Sequence, residues 1–166
     1  MVTSGLEHIV YLSLGSNLGD RARNLEKGIA LIGQKIGRIM KQSGMHESGA
    51  WGYESENMFY NMCIEVKTGI SPEGVMEHIL GIEREMGRQR SGEGYADRLI
   101  DIDLLFYGRI VLDTNRLKLP HPGIPARRFV LVPLKEIAAE FVHPAMKISV
   151  AELLDRCEDR SNVEPV

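Results

Sequence analysis

At 166 residues with 43% hydrophobic side chains, the chain has the apolar material for a folded domain, which sets aside disordered and fibrous classes. A formal charge of -3 gives no overall pull toward a polynucleotide backbone, so a small phosphorylated ligand held by a few local arginines fits better than nucleic acid. Cys63 and Cys157 make neither a disulfide framework nor a zinc site, and no leader or long apolar run stands out, which points to the cytoplasm and away from membranes.

Ile9 to Leu14 reads as a strand, ended by the turn Gly15-Ser16-Asn17-Leu18-Gly19. Asp20 suits the N-cap of a helix whose Ala22, Leu25, Ile29 and Ile32 share one face. A weaker extended stretch, Arg38 to Glu47, and a Gly-rich loop follow. Met58, Tyr60, Met62, Ile64 and Val66 then alternate at period two, making a strand whose other face carries Phe59, Asn61 and Cys63. Ser71-Pro72 opens a second helix with Val75, Ile79, Ile82 and Met86 as its buried stripe, and residues 87 to 98 form a loop containing Gly92 and Gly94. Leu99 to Tyr107 is the strongest strand. Ile100, Ile102, Leu104 and Phe106 take one of its faces; Leu99, Asp101, Asp103, Leu105 and Tyr107 take the other. Gly108-Arg109 reads as a hairpin turn into Ile110 to Leu112, and Pro120, Pro122 and Pro125 mark a loop around His121. A helix from about Pro125, an apolar run from Phe129 to Leu134 and a last helix from Val150 to Arg156 complete the pattern, with a disordered tail expected from Glu158. This order predicts one α+β domain over residues 1 to 166, ferredoxin-like, with a mainly antiparallel sheet and helices packed on its faces.

The alternation puts Asp101 and Asp103 on one face, roughly 6.5 to 7 Å apart at Cα, where their carboxylates can converge on one cation or bridge two. A bare Asp-x-Asp is more often a solvated strand face. Here Leu99 and Leu105 flank the pair, and two carboxylates on an apolar face repel each other and lose hydration without a cation. Magnesium prefers such oxygens, completed by water and phosphate. Arg88, Arg90 and Arg98 precede the pair, and Arg116, His121, Arg127 and Arg128 follow it. Guanidinium groups bind phosphate oxygens bidentately, so carboxylates ringed by arginines suit phosphoryl transfer, in which developing charge is neutralised by groups already in place. The Gly15 to Gly19 turn lacks the ending of a phosphate loop and reads as structural. Glu83 either orients an arginine or pairs on the surface, and His121 either contacts a phosphate or is an ordinary loop histidine. A metal-dependent phosphohydrolase would use the same aspartates but needs a water-activating base that the sequence does not reveal. A nucleotide-binding regulatory module would need the arginines without the metal pair.

Together these segments resemble the hydroxymethyldihydropterin pyrophosphokinases of folate synthesis, over roughly residues 9 to 145. The resemblance is carried by Leu14-Gly15-Ser16-Asn17-Leu18-Gly19-Asp20, Phe59-Tyr60-Asn61, Arg98-Leu99-Ile100-Asp101-Ile102-Asp103-Leu104-Leu105, and Leu119-Pro120-His121 through Arg127-Arg128-Phe129. It implies a ferredoxin-like fold, ATP as donor, two magnesium ions, and attack of the pterin hydroxymethyl oxygen on the β-phosphorus with AMP leaving. It also implies that Asp101 and Asp103 hold metal and that Arg88 and Arg98 close over the phosphates from a mobile loop. Glu83, Arg90, Arg116, His121 and Arg127 would serve ATP; Ser48, Phe59, Asn61, Tyr95 and Phe129 would serve the pterin. The expected partners are those two small molecules, bound by a monomer. The chain departs from the family's usual pattern in three places. Tyr95 stands where tryptophan is common, Asp97 where proline is usual, and Glu47-Ser48-Gly49 replaces a Thr-Pro type turn. Trp51 either restores an aromatic wall near the pterin site or is a packed loop residue, and it is left outside the expected site.

Overall fold

The computed structural model describes residues 6–87 and 96–166; Arg88, Arg90 and Tyr95 lie outside the described residues. Strand β1 (His8–Ser16) is buried along most of its length because it has antiparallel neighbours on both sides, β4 (Phe59–Thr68) and β5 (Asp101–Tyr107). Helices also cover both of its faces, which explains its continuous apolar sequence. The weak extended stretch forms two short strands, β2 (Arg38–Gln42) and β3 (His46–Ser48), and both pair with β4. The tail expected to be disordered instead supplies strand β8 (Val163–Pro165), which pairs antiparallel with β3. The sheet order is β5-β1-β4-β3-β8, with β2 also on β4. Backbone groups on an open strand edge recruit a partner whatever its side chains, which is how so polar a segment becomes ordered.

Helices α1 (Arg21–Lys35) and α2 (Pro72–Glu85) are capped as expected: Asp20 accepts from the Arg23 amide and Ser71 from the Gly74 amide. Leu25, Ile32, Val75, Ile79 and Ile82 from these helices pack on Val10, Leu12, Leu14, Met62 and Ile64. The opposite face of the sheet is covered by α3 (Arg128–Ala138) and α4 (Val150–Arg156), whose Val130, Leu131, Leu134, Val150 and Leu153 meet Tyr11 and Cys63. The apolar run from Phe129 to Leu134 is therefore the body of α3, and the helix expected near Pro125 is a single 3-10 turn, Ile124–Ala126.

Two further expectations are corrected near β5. Its register against β1 shifts between Tyr11 and Leu12, and beyond that point Phe106 joins the core under α3 while Tyr107 joins the core under α1 and α2. One extra residue reverses the parity of every side chain that follows, so Phe106 does not share a face with Ile102 and Leu104. The predicted hairpin into Ile110 to Leu112 is also absent. Instead β6 (Leu112–Asp113) pairs with β7 (Lys118–Leu119), closed by the Thr114 hydroxyl, which bonds both backbone groups of Leu117.

Candidate functional site

The central strand aligns the site. In the register of β1, Gly15 lies opposite Asn61 on one side and Asp101 on the other, while Ser13 lies between Cys63 and Asp103. Asn61, Asp101 and Asp103 thus project from the sheet face that α3 covers, next to Phe129 at the start of that helix. Gly15 is required here for space. A Cβ at this position would come within 2.9 Å of Asn61 Oδ1 and 3.4 Å of Phe59 Cδ1. Asn61 Nδ2 donates to Ser48 Oγ at 2.7 Å, so β3 fixes the amide from the side. The resulting cleft is lined by Ser48, Gly49, Trp51, Tyr53, Phe59 and Asn61 together with Arg98, Asp101, Asp103, Arg127 and Phe129. About 430 Å³ of space, open solvent at its mouth included, lies between these residues.

Asp101 and Asp103 are 28% and 27% exposed. Arg98 Nη1 stands 3.4 Å from Asp101 Oδ2, Arg127 Nη1 3.9 Å from Asp103 Oδ2, and His121 Nε2 3.9 Å from Asp103 Oδ1. Burial pushes the His121 imidazole down to about 4, with Arg127 adding to the effect and Asp101 opposing it. It is therefore neutral near pH 7. The Gly123 amide donates to His121 Nδ1 at 3.0 Å, which leaves Nε2 as the protonated nitrogen facing Asp103. Gly123 also makes room for Arg127: a Cβ there would sit 2.7 Å from the guanidinium carbon. The guanidinium carbon of Arg127 lies 4.6 Å from the centre of the Trp51 ring, and Trp51 in turn lies 6.5 Å from Phe129. Arg127 Nε is buried without a hydrogen-bond partner among the described residues.

Of the expected residues, Ser48, Phe59, Asn61, Arg98, Asp101, Asp103, Arg127 and Phe129 line one cleft, and His121 adjoins it through Asp103. Arg116 is exposed in the β6–β7 turn, outside the lining set. Glu83 is not a surface pair. It is buried beneath β5, where its carboxylate accepts the Ile102 amide at 2.9 Å. Trp51, Tyr53, Gly49 and Gly123 were not anticipated in the site. The available signal was Trp51 itself, the chain's single tryptophan, set in a Gly-rich loop. Chemically, the cleft joins an aromatic slot with an amide edge to a carboxylate pair surrounded by donors of positive charge or neutral N–H.

Residues 11–139 match the family model for 7,8-dihydro-6-hydroxymethylpterin-pyrophosphokinase. The chain is 38% identical over 139 residues to a Porphyromonas gingivalis protein named 2-amino-4-hydroxy-6-hydroxymethyldihydropteridine pyrophosphokinase, covering 82% of this chain and 94% of that one. It is 35% identical over 157 residues to the folic acid synthesis protein fol1 of Pneumocystis carinii, covering 95% of this chain but 21% of that longer protein. The chain thus spans about a fifth of this fungal relative. A solved Plasmodium falciparum HPPK-DHPS superposes with a TM-score of 0.74 over 91% of this chain and 45% of that one; at 18% identity this likeness shows the fold alone.

Proposed function

The chain belongs to the 7,8-dihydro-6-hydroxymethylpterin-pyrophosphokinase family, and from that membership we propose that it transfers pyrophosphate from ATP to 6-hydroxymethyl-7,8-dihydropterin, giving the pterin diphosphate and AMP in folate synthesis. The observation that carries this reading is the placement of Asn61 and Asp101 on either side of Gly15, which sets an aromatic slot and a carboxylate pair in one cleft. A pterin is flat and lined with donors and acceptors. Phe59 and Phe129 would stack on its faces, and Asn61, braced by Ser48, would read its edge. Its hydroxymethyl arm then points along the cleft toward Asp101 and Asp103, so the oxygen can attack the β-phosphorus while the bond to the AMP oxygen breaks.

The aspartate pair fits magnesium. Its two carboxylates would supply part of the shell, with oxygens from ATP and water as the rest. Two bound ions would neutralise phosphate charge. Arg98, Arg127 and the neutral Nε2–H of His121 surround the same space and would bind phosphate oxygens; the unpartnered Nε of Arg127 supports its role. Arg88, Arg90 and Arg116 complete the proposed phosphate and ribose contacts, Tyr95 the pterin site. Glu83 would serve ATP indirectly, by holding β5. We place this activity in the cytoplasm, in a monomer; no described helix is long and apolar enough to cross a membrane.

The test is incubation with magnesium, ATP and hydroxymethyldihydropterin. AMP, not ADP, should form only when pterin and metal are both present, and Asp101→Asn or Asp103→Asn should lower the rate at least roughly a hundredfold. Free pyrophosphate without pterin would favour the phosphohydrolase, and near-normal turnover in both variants would return the aspartates to a solvated strand face.

A further inference from the structure

The carboxylate of Asp97 joins three stretches of chain that are remote in sequence. Its Oδ1 accepts Asn17 Nδ2 and the Tyr53 hydroxyl, each at 2.8 Å, and its Oδ2 accepts Asn57 Nδ2 at 2.6 Å. Asn17 extends the network. Its Nδ2 lies 3.1 Å from the Asn57 carbonyl oxygen and 3.2 Å from the Tyr53 hydroxyl; its backbone amide donates to the Arg98 carbonyl at 3.1 Å, and its Oδ1 accepts the Arg98 amide at 2.8 Å. Tyr53 and Arg98 both line the cleft, yet Asp97 itself is not among the lining residues. The donors surrounding Asp97, Asn57 foremost and Ser55 next, hold its carboxyl down to about 2. Burial, reinforced by the bond to Asp97, pushes the Tyr53 phenol up to about 12. Asp97 is therefore a charged acceptor and the Tyr53 hydroxyl is protonated near pH 7.

We propose that Asp97 is a positioning residue, fastening the loop that carries Trp51 and Tyr53 to the Arg98 segment so that the aromatic side of the cleft is set before a planar ligand arrives. The proposal rests on the pterin reading above for its ligand, but not for its geometry. Both ends of the fastening lie on the cleft, and Trp51, two residues from Tyr53, is itself part of the aromatic wall against Phe129 and Arg127.

Because Trp51 is the only tryptophan, its fluorescence reports the loop directly. Asp97→Ala removes the acceptor; Asp97→Asn keeps the volume but turns an amide donor toward other donors, and serves if the alanine variant unfolds. In both variants acrylamide quenching of Trp51 without ligand should rise. Affinity for hydroxymethyldihydropterin should fall about tenfold, and ATP affinity should stay within about twofold, a split that general destabilisation does not produce. Asp97→Glu, which retains a carboxylate, should recover part of the pterin affinity. Unchanged quenching, or equal losses for pterin and ATP, would overturn the proposal. Should the wild type bind no pterin, the pyrophosphokinase reading falls, while Trp51 quenching still decides whether Asp97 holds the loop.

Discussion

The Glu83 carboxylate, 1% exposed, accepts the backbone N–H of Ile102 at 2.9 Å, at the residue that separates Asp101 from Asp103. β5 lies at the end of the sheet order, so this amide faces outward from β1 and needs an acceptor that no further strand among the described residues provides. Glu83→Ala leaves a buried donor unpaired and should cost about 1–3 kcal/mol of stability. Because the lost acceptor lies between the two aspartates, metal-dependent AMP formation should fall as well. Glu83→Gln keeps an oxygen at the same reach and should restore most of the thermal midpoint. Melting curves and AMP assays on both variants separate the bond from the charge: a Gln variant as unstable as the Ala variant would show that the negative charge, not the acceptor, matters.

Gly15→Ala tests the aromatic slot without touching a ligand-facing side chain. The added methyl would press on Asn61 Oδ1 at 2.9 Å and on the Phe59 ring, and such overpacking typically costs about 1–3 kcal/mol. Pterin affinity should drop about tenfold or more, following the displaced amide, while ATP affinity changes little. Asn61→Ala should give the same split. Equilibrium titration with each ligand measures it, and equal losses would remove Asn61 from the pterin site.

What could be read in the sequence was local. Asp20 and Ser71 announced their helices because a capping side chain acts within three residues, α4 has the bounds that its pattern indicated, and the Asp101–Asp103 face follows from strand geometry alone. What could not be read depends on neighbours distant in sequence. The bulge that sends Phe106 to the other core is visible only against Tyr11 and Leu12. β8 forms because β3 has an open edge, a fact its own polar residues do not encode. For Glu83 the sequence left an arginine partner and a surface pair equally open, and neither reading names the outward amide of Ile102 that it accepts from within the core. Trp51 and Asp97 acquire meaning only through Arg127 and Tyr53, which lie far away along the chain.

His143 should give stability a pH dependence. Its Nδ1 accepts the amides of Ala145 and Met146 at 3.2 and 3.0 Å, which requires a deprotonated nitrogen, and burial lowers its pKa from 6.5. The unfolded chain therefore takes up a proton at a higher pH than the folded one. Its stability contribution is complete above 6.5 and is lost as pH falls below that value toward the folded pKa. His121, held at about 4, acts in the same direction. Thermal midpoints should thus decline on acidification from about pH 7 to about pH 5. His143→Asn, whose Oδ1 can still accept an amide, should flatten that slope by at most one proton's worth and leave the His121 share. An unchanged slope would mean that His143 titrates normally.

Arg98 is held at two points, Nε donating to the Ala96 carbonyl at 2.8 Å and Nη1 lying 3.4 Å from Asp101 Oδ2, with its side chain 12% exposed. A guanidinium so placed offsets part of the charge of the carboxylate pair, and under the proposed function it would lie beside the phosphates of ATP. If its charge matters mainly as negative charge shifts toward the leaving AMP, Arg98→Ala should lower turnover roughly a hundredfold while ATP affinity changes only a few-fold. The same variant should bind magnesium more tightly without nucleotide, because a competing cation has left Asp101. Three measurements bear on this: a magnesium titration of the free protein, an ATP titration without pterin, and a single-turnover rate with both substrates. Proportional falls in ATP affinity and rate would mean that Arg98 binds ground state and transition state alike, and its catalytic role would be withdrawn. Weaker magnesium binding would show instead that Arg98 helps organise Asp101 for the metal, since losing a repelling cation alone cannot have that sign.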